Sequence, residues 1–134
     1  MGPLQIVTRF VDATNARNWS ALEELVAVDF VRHSCAAGQP EVRSCADLVS
    51  FLKQEFATFP DAREEILDTV TEGCKVAVRH SFRGTQLGSL GSYSASGRIM
   101  DSQYLAIYLV RDGRIREAWV EWDNLAGLKQ LGHL

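Results

Sequence analysis

Ser102-Gln103-Tyr104-Leu105-Ala106-Ile107-Tyr108-Leu109-Val110-Arg111-Asp112-Gly113-Arg114-Ile115-Arg116-Glu117-Ala118-Trp119-Val120-Glu121-Trp122 is the stretch on which the fold turns. Its first half is dense in Tyr, Ile, Leu and Val, which suit a pleated, half-buried surface. Asp112-Gly113 has the composition of a tight hairpin turn. Ser102 to Val110 therefore reads as one strand, and Ile115 to Trp122 as its returning partner.

Upstream of this hairpin the same period of two continues. Val76, Val78, His80 and Phe82 share one face of a run that alternates with Ala77, Arg79, Ser81 and Arg83. Ile66 to Val70 reads as its partner across Glu72-Gly73. Residues 84–97 are rich in glycine and serine and read as a loop or irregular hairpin, a candidate lid. The first 60 residues follow a helical period instead. Leu4, Val7, Phe10, Val11 and Thr14 form one stripe. Ser20 with Glu23 reads as a capping box before Leu22, Leu25 and Val26, and Ser44 with Asp47 repeats the signal. Leu48, Phe51, Leu52, Phe56 and Phe59 extend a third helix until Pro60 stops it. Leu125, Leu128 and Leu131 suggest a short closing helix. Three helices followed by an antiparallel sheet is an α+β order. A strongly curved sheet wrapped over helices gives a cone-shaped α+β barrel with one open mouth, and a pocket between sheet and helices. The 134 residues read as a single domain, 1–134.

Composition narrows the function. Hydrophobic residues make up 46% and charged residues 23%, which fits a globular domain. Fourteen Lys and Arg are scattered among 17 acids, for a net charge of −3, so no basic face marks a nucleic-acid binder. No apolar run approaches the roughly 18 residues that cross a bilayer. Cys35, Cys45 and Cys74 are an odd set without CxxC and read as reduced thiols of a cytoplasmic protein. Gly84, Gly88 and Gly91 do not make a dinucleotide fingerprint, and no Walker lysine, HExxH or nucleophile elbow occurs. His33 with Cys35 lacks a second metal-binding pair, so no metal site is expected.

Glu117, Trp119, Asp123 and the tail Gln130-Leu131-Gly132 stand in a recurring order: an acid, a Trp two residues on, an Asp six residues after the acid, then a leucine-rich Gln-Leu-Gly end. Asp29-Phe30-Val31-Arg32-His33, Phe59-Pro60-Asp61 and Gly84-Thr85 precede them. In this the chain resembles the SnoaL-like polyketide cyclase family, within the nuclear-transport-factor-2-like superfamily, over nearly its whole length. The resemblance implies the cone fold, no cofactor, and an aspartate that takes the acidic proton beside a carbonyl so that a carbanion closes a ring by aldol attack. It also implies a small, apolar, carbonyl-bearing (polyketide-like) substrate and a homodimer formed through the sheet. Where the family has Gly-Thr-His, this chain has Gly84-Thr85-Gln86, and glutamine carries no proton at neutral pH.

Asp123 is the acid/base that matches the family, with His33 as a second catalytic candidate. An apolar pocket can lift an aspartate from about 3.9 toward the working pH, and Trp119 and Trp122 can supply the wall. Strict alternation puts Ile115, Glu117, Trp119, Glu121 and Asp123 on one face, with Glu121 about 7 Å from Asp123. Asp before Asn-Leu equally fits the cap of the last helix. His80 on its apolar face, Gln86 in the same parity, Trp119, Tyr104 and Glu121 are the expected substrate-binding groups, and His33, near a helix end, could orient the substrate or stabilise an oxyanion. Two rivals use the same fold: a non-catalytic small-ligand-binding or protein-interaction module, and an epoxide hydrolase or hydroxylase, for which an Asp-Arg-Asp relay involving Arg98 and Asp101 is the sequence to look for.

Overall fold

The computed structural model describes residues 1–36 and 38–134. Along them run α1 (Pro3–Asn15), α2 (Trp19–Leu25), β1 (Val26–His33), α3 (Cys45–Thr58), β2 (Arg63–Glu72), β3 (Lys75–Thr85), β4 (Ile99–Arg111), β5 (Arg114–Trp122) and α4 (Asn124–Gln130). The α+β cone is present, with its helices laid on one face of a curved five-stranded sheet ordered β1-β5-β4-β3-β2. β1 runs parallel to β5, and the other pairings are antiparallel. The sheet is therefore mixed at one edge, a departure from the all-antiparallel expectation. β1 is also the element that the helical reading of the first 60 residues passed over. Its Phe30 and Arg32 alternate in a period of two too short to stand out between helices.

Local chemistry explains most boundaries. Pro3 opens α1, where a missing amide costs nothing. The cap of α2 is Asn18, whose side-chain oxygen accepts the Ala21 amide at 3.2 Å; Ser20 instead donates to that same oxygen at 3.0 Å. The expected capping box at Ser20 is thus shifted by two residues, because Asn caps as well as Ser and lies one residue ahead of the first turn. At α3 the expectation holds: Ser44 Oγ accepts the Asp47 amide at 2.9 Å, and Asp47 accepts the Arg43 amide at 3.1 Å. Asp112 and Gly113, at φ 53° and 73°, form the left-handed pair that turns β4 into β5.

The main core lies between the helices and the concave face of the sheet. Phe10, Leu22, Phe30, Leu48, Val76, Val78, Ala106 and Ile115 pack there. A second cluster of Phe59, Ala62, Phe82 and Leu131 seals the end beneath α4. Register irregularities at Ile66/Asp68 and at Leu109/Val110 place bulges in β2 and β5, and bulges bend the sheet around its helices. No described helix is long and apolar enough to cross a membrane.

Candidate active site in the cone

A cavity of about 570 Å³ opens between α3 and the concave face of the sheet. That volume suits a drug-sized molecule. Phe10, Phe30, Leu48, Phe51, Phe82, Val120 and Trp122 give it apolar walls. Among the polar groups that line it are Arg32 on β1, Glu64 on β2, Tyr104 on β4 and Glu55 on α3.

Glu64 is held firmly at both ends. Its backbone amide donates to Asn15 Oδ1 at 2.9 Å, and its carbonyl accepts from Asn15 Nδ2 at 2.8 Å, so the end of α1 fixes the start of β2. Its carboxylate accepts the Tyr104 hydroxyl at 2.5 Å. Burial lifts the Glu64 carboxyl to about 7, against the opposing pull of the Tyr104 bond and the Arg32 charge. Glu55 is lifted further, to about 8, by burial first and by the nearby Glu64 charge second, with Arg32 again opposing. Both carboxyls are half-buried: they meet the cavity rather than bulk water. Arg32 lies with its Cζ 4.5 Å from the Phe51 ring and 5.7 Å from the Trp122 ring, and Nη1 donates to Gln39 at 3.1 Å. Burial lowers its pKa, and Glu55 is the first of the charges that oppose this.

Tyr104 and Tyr108 are both raised above the ordinary phenol value, by burial first and the Glu64 charge next, so both remain proton donors. Behind them, His80 is 0% exposed. It stacks on Tyr104 at 4.3 Å, and its Nε2 lies 2.8 Å from the Tyr108 hydroxyl. Burial lowers it to about 4, so the ring is neutral. Its Nδ1 is buried without a partner. His80 thus backs the tyrosines and does not line the cavity.

The other expected site residues lie elsewhere. The β5 bulge sets two residues, Ile115 and Arg116, against Val110, and this reverses the alternation that follows. Ala118, Val120 and Trp122 consequently face the cavity, while Glu117, Trp119 and Glu121 do not line it. His33 sits at the end of a strand, not of a helix. It is exposed, stacks on Trp119 at 5.3 Å, and its Nε2 lies 2.5 Å from Glu117 Oε2. Glu121 accepts the Cys35 amide at 2.7 Å. Asp123 is exposed and caps α4, its Oδ1 accepting the Ala126 amide at 3.0 Å. Gln86 is 0% exposed, and its amide nitrogen donates to the carbonyls of Gly88 and Ser94 at 3.1 and 3.2 Å. Its oxygen accepts from Ser96 Oγ at 3.0 Å and lies 2.6 Å from His133 Nε2. It therefore organises the glycine- and serine-rich loop. Of the expected polar groups only Tyr104 lines the cavity, and of the two expected wall tryptophans only Trp122 does.

Arg32, Glu55 and Glu64 escaped the sequence reading, though each left a signal. Glu55 continues the helical stripe Leu48, Leu52, Phe59. Glu64 shares the parity of Ile66, and Arg32 that of Phe30. A charged residue on an apolar stripe is the pattern of a buried functional group.

A family model described as SnoaL-like polyketide cyclase matches residues 4–131. Among solved structures, wild-type IdmH from Streptomyces antibioticus, a candidate polyketide cyclase, is 31% identical with a TM-score of 0.86, over 98% of this chain and 99% of that one. TsrD from Streptomyces laurentii is 26% identical with a TM-score of 0.84, over 98% and 95% of the two chains. AclR from Streptomyces galilaeus, a candidate hydroxylase, is 25% identical with a TM-score of 0.81, over 98% and 96%. The comparison with curated proteins finds no match. With its cone of helices on a curved sheet and a family match over residues 4–131, the chain belongs to the SnoaL-like polyketide cyclase family.

Proposed function

We propose that this protein is a cyclase- or isomerase-type enzyme that needs no cofactor and acts on a small, apolar, carbonyl-bearing molecule, with Glu64 as its acid/base. The observation that carries this reading is the Glu64–Tyr104 pair on the wall of an apolar cavity, its carboxyl lifted to about 7. A base so poised is half ionised at neutral pH, where proton transfer is most effective. Ionised Glu64 removes a proton beside a carbonyl. The substrate's conjugated carbonyls spread the charge. The carbanion attacks a second carbonyl of the same molecule and closes the ring, and the alkoxide takes a proton from Glu64 or from protonated Glu55. One C–C bond forms, one proton moves out and back, and no electrons leave the substrate.

The role expected of Asp123 passes to Glu64 in this reading, because Asp123 is exposed and engaged as a helix cap. The test is deuterium exchange from solvent into cyclic β-dicarbonyl compounds. Wild type is expected to accelerate exchange, and Glu64→Gln to reduce it by at least about 100-fold. Exchange that survives in Glu64→Gln contradicts the assignment. Tight binding without exchange or turnover favours the non-catalytic carrier.

A second reading has one observation behind it. Glu55, Arg32 and Glu64 are two acids and an arginine on one cavity, as an epoxide hydrolase needs; the sequence pair considered for that role lies elsewhere. Asp101 is exposed and pairs with Arg83 at 3.1 Å, and Arg98 packs against Gly132. Incorporation of labelled oxygen from water into an epoxide would favour this chemistry over ring closure. The homodimer is a further part of the proposal: Leu105, Ile107 and Trp119 are exposed on the sheet at 61%, 43% and 36%. Sedimentation at micromolar concentration is expected to give twice the chain mass.

A further inference from the structure

Among the described residues, Arg32 is the only cationic side chain lining the cavity. It is also without an ion pair: no carboxylate oxygen lies within 4.0 Å of it among those residues. Its side chain makes one hydrogen bond, to Gln39, out of the five a guanidinium can donate. The remaining nitrogens are not sealed in protein, since among the described residues His80 Nδ1 is the one buried side-chain nitrogen or oxygen lacking a partner. They open on the cavity. The acids at that wall are otherwise engaged: Glu41 pairs with Arg43, and Asp47 accepts the Arg43 amide. Glu55 and Glu64 hold their protons into the neutral range, so they leave much of the Arg32 charge unopposed. The rings of Phe51 and Trp122 keep the guanidinium in place, and they flank it with apolar surface.

A half-buried arginine is costly unless something meets its charge. Its planar fork matches a carboxylate, which it can bind through two parallel hydrogen bonds. We infer that Arg32 is the anchor for a carboxylate on the ligand, so that the molecule taken up is an apolar carbonyl compound bearing one carboxylate. This rests on the cavity being the substrate site, as the proposed function has it. The carboxylate docks on β1, between Phe51 and Trp122, and the apolar body extends toward Glu64 and Tyr104. Arg32 then sets which molecules bind and how they lie, while Glu64 moves the proton.

The test is calorimetric titration at pH 6.5 with 2-naphthoate and with its neutral methyl ester. Wild type is expected to prefer the acid by about tenfold or more. In Arg32→Gln the preference should fall to within about threefold, with ester binding little changed. Arg32→Lys keeps the charge but not the fork and should retain part of the preference; it carries the test if Arg32→Gln does not fold. Equal binding of acid and ester to wild type overturns the anchor alone, as does a preference that persists in Arg32→Gln. If neither compound binds, the cavity is not the substrate site, and the anchor and the proposed function fall together.

Discussion

Glu64 and Asp123 are both carboxylates, and what separates them is their surroundings. Glu64 meets an apolar cavity and one tyrosine hydroxyl, so burial outweighs the hydrogen bond and its proton is held to about 7. Asp123 stands in solvent and gives its charge to the first turn of α4. This makes a clean pair of variants. Asn caps as well as Asp, so Asp123→Asn should leave both melting temperature and turnover within error; Asp123→Ala should cost about 1 kcal/mol of stability in a denaturant titration, still with turnover intact. Loss of turnover in Asp123→Asn at unchanged stability would return the chemistry to Asp123. Asp61 shows the opposite pressure to Glu64. Its carboxylate accepts the Thr85 amide at 2.7 Å and the Thr85 hydroxyl at 2.8 Å, and those bonds, the amide first, hold it below the ordinary carboxylate range.

Between elements, the joints are made by single polar side chains. Asn15 clamps the Glu64 backbone at both amide and carbonyl. Asn15→Ala should cost about 1–3 kcal/mol and lower the Glu64 titration toward ordinary glutamate, because the start of β2 loses its fixed position. The loop after β3 is tied in the same way: the Leu87 and Gly88 amides donate to Thr58 O at 2.9 and 3.1 Å. A Cβ at Gly88 would meet Ala57 O at 2.5 Å. Gly88→Ala should therefore loosen the loop from α3 and raise proteolysis within it. These joints also show what the sequence could tell. The spaced motif residues meet in space: Glu117 and Trp119 on His33, Asp61 on Thr85, and Gln130 on the Asp101 backbone at 2.8 and 2.9 Å. They hold the fold together, which is why they revealed the family and the cone. The α1 stripe, the α3 cap and the β4–β5 turn were legible because local chemistry decides them. The inward face of β5 was not. One extra residue at Arg116 reverses it, and periodicity carries no sign of a bulge.

At the scale of the molecule, the cavity places two carboxyls where only their neutral forms are well accommodated. Between the unfolded glutamate value of about 4.3 and the native values of about 7 and 8, the native state binds more protons than the unfolded chain. Stability contributed by these groups is therefore lost as pH rises through that window. His80 acts in reverse: its native value of about 4 lies below the unfolded one, so stability falls as pH drops from about 6.5 toward 4. Denaturant titrations of Glu55→Gln should show a flatter decline from pH 5 to 8, with a gain of about 1–3 kcal/mol over wild type at pH 8. The cavity wall stores this tension, and in the proposed function the same tension gives Glu64 its use as a base. The most direct test of that claim needs no substrate: follow the side-chain carboxyl carbons by ¹³C NMR from pH 3 to 10, with Glu64→Gln to assign the resonance. An inflection near pH 7 at Glu64 is predicted; an inflection below pH 5 would contradict the account.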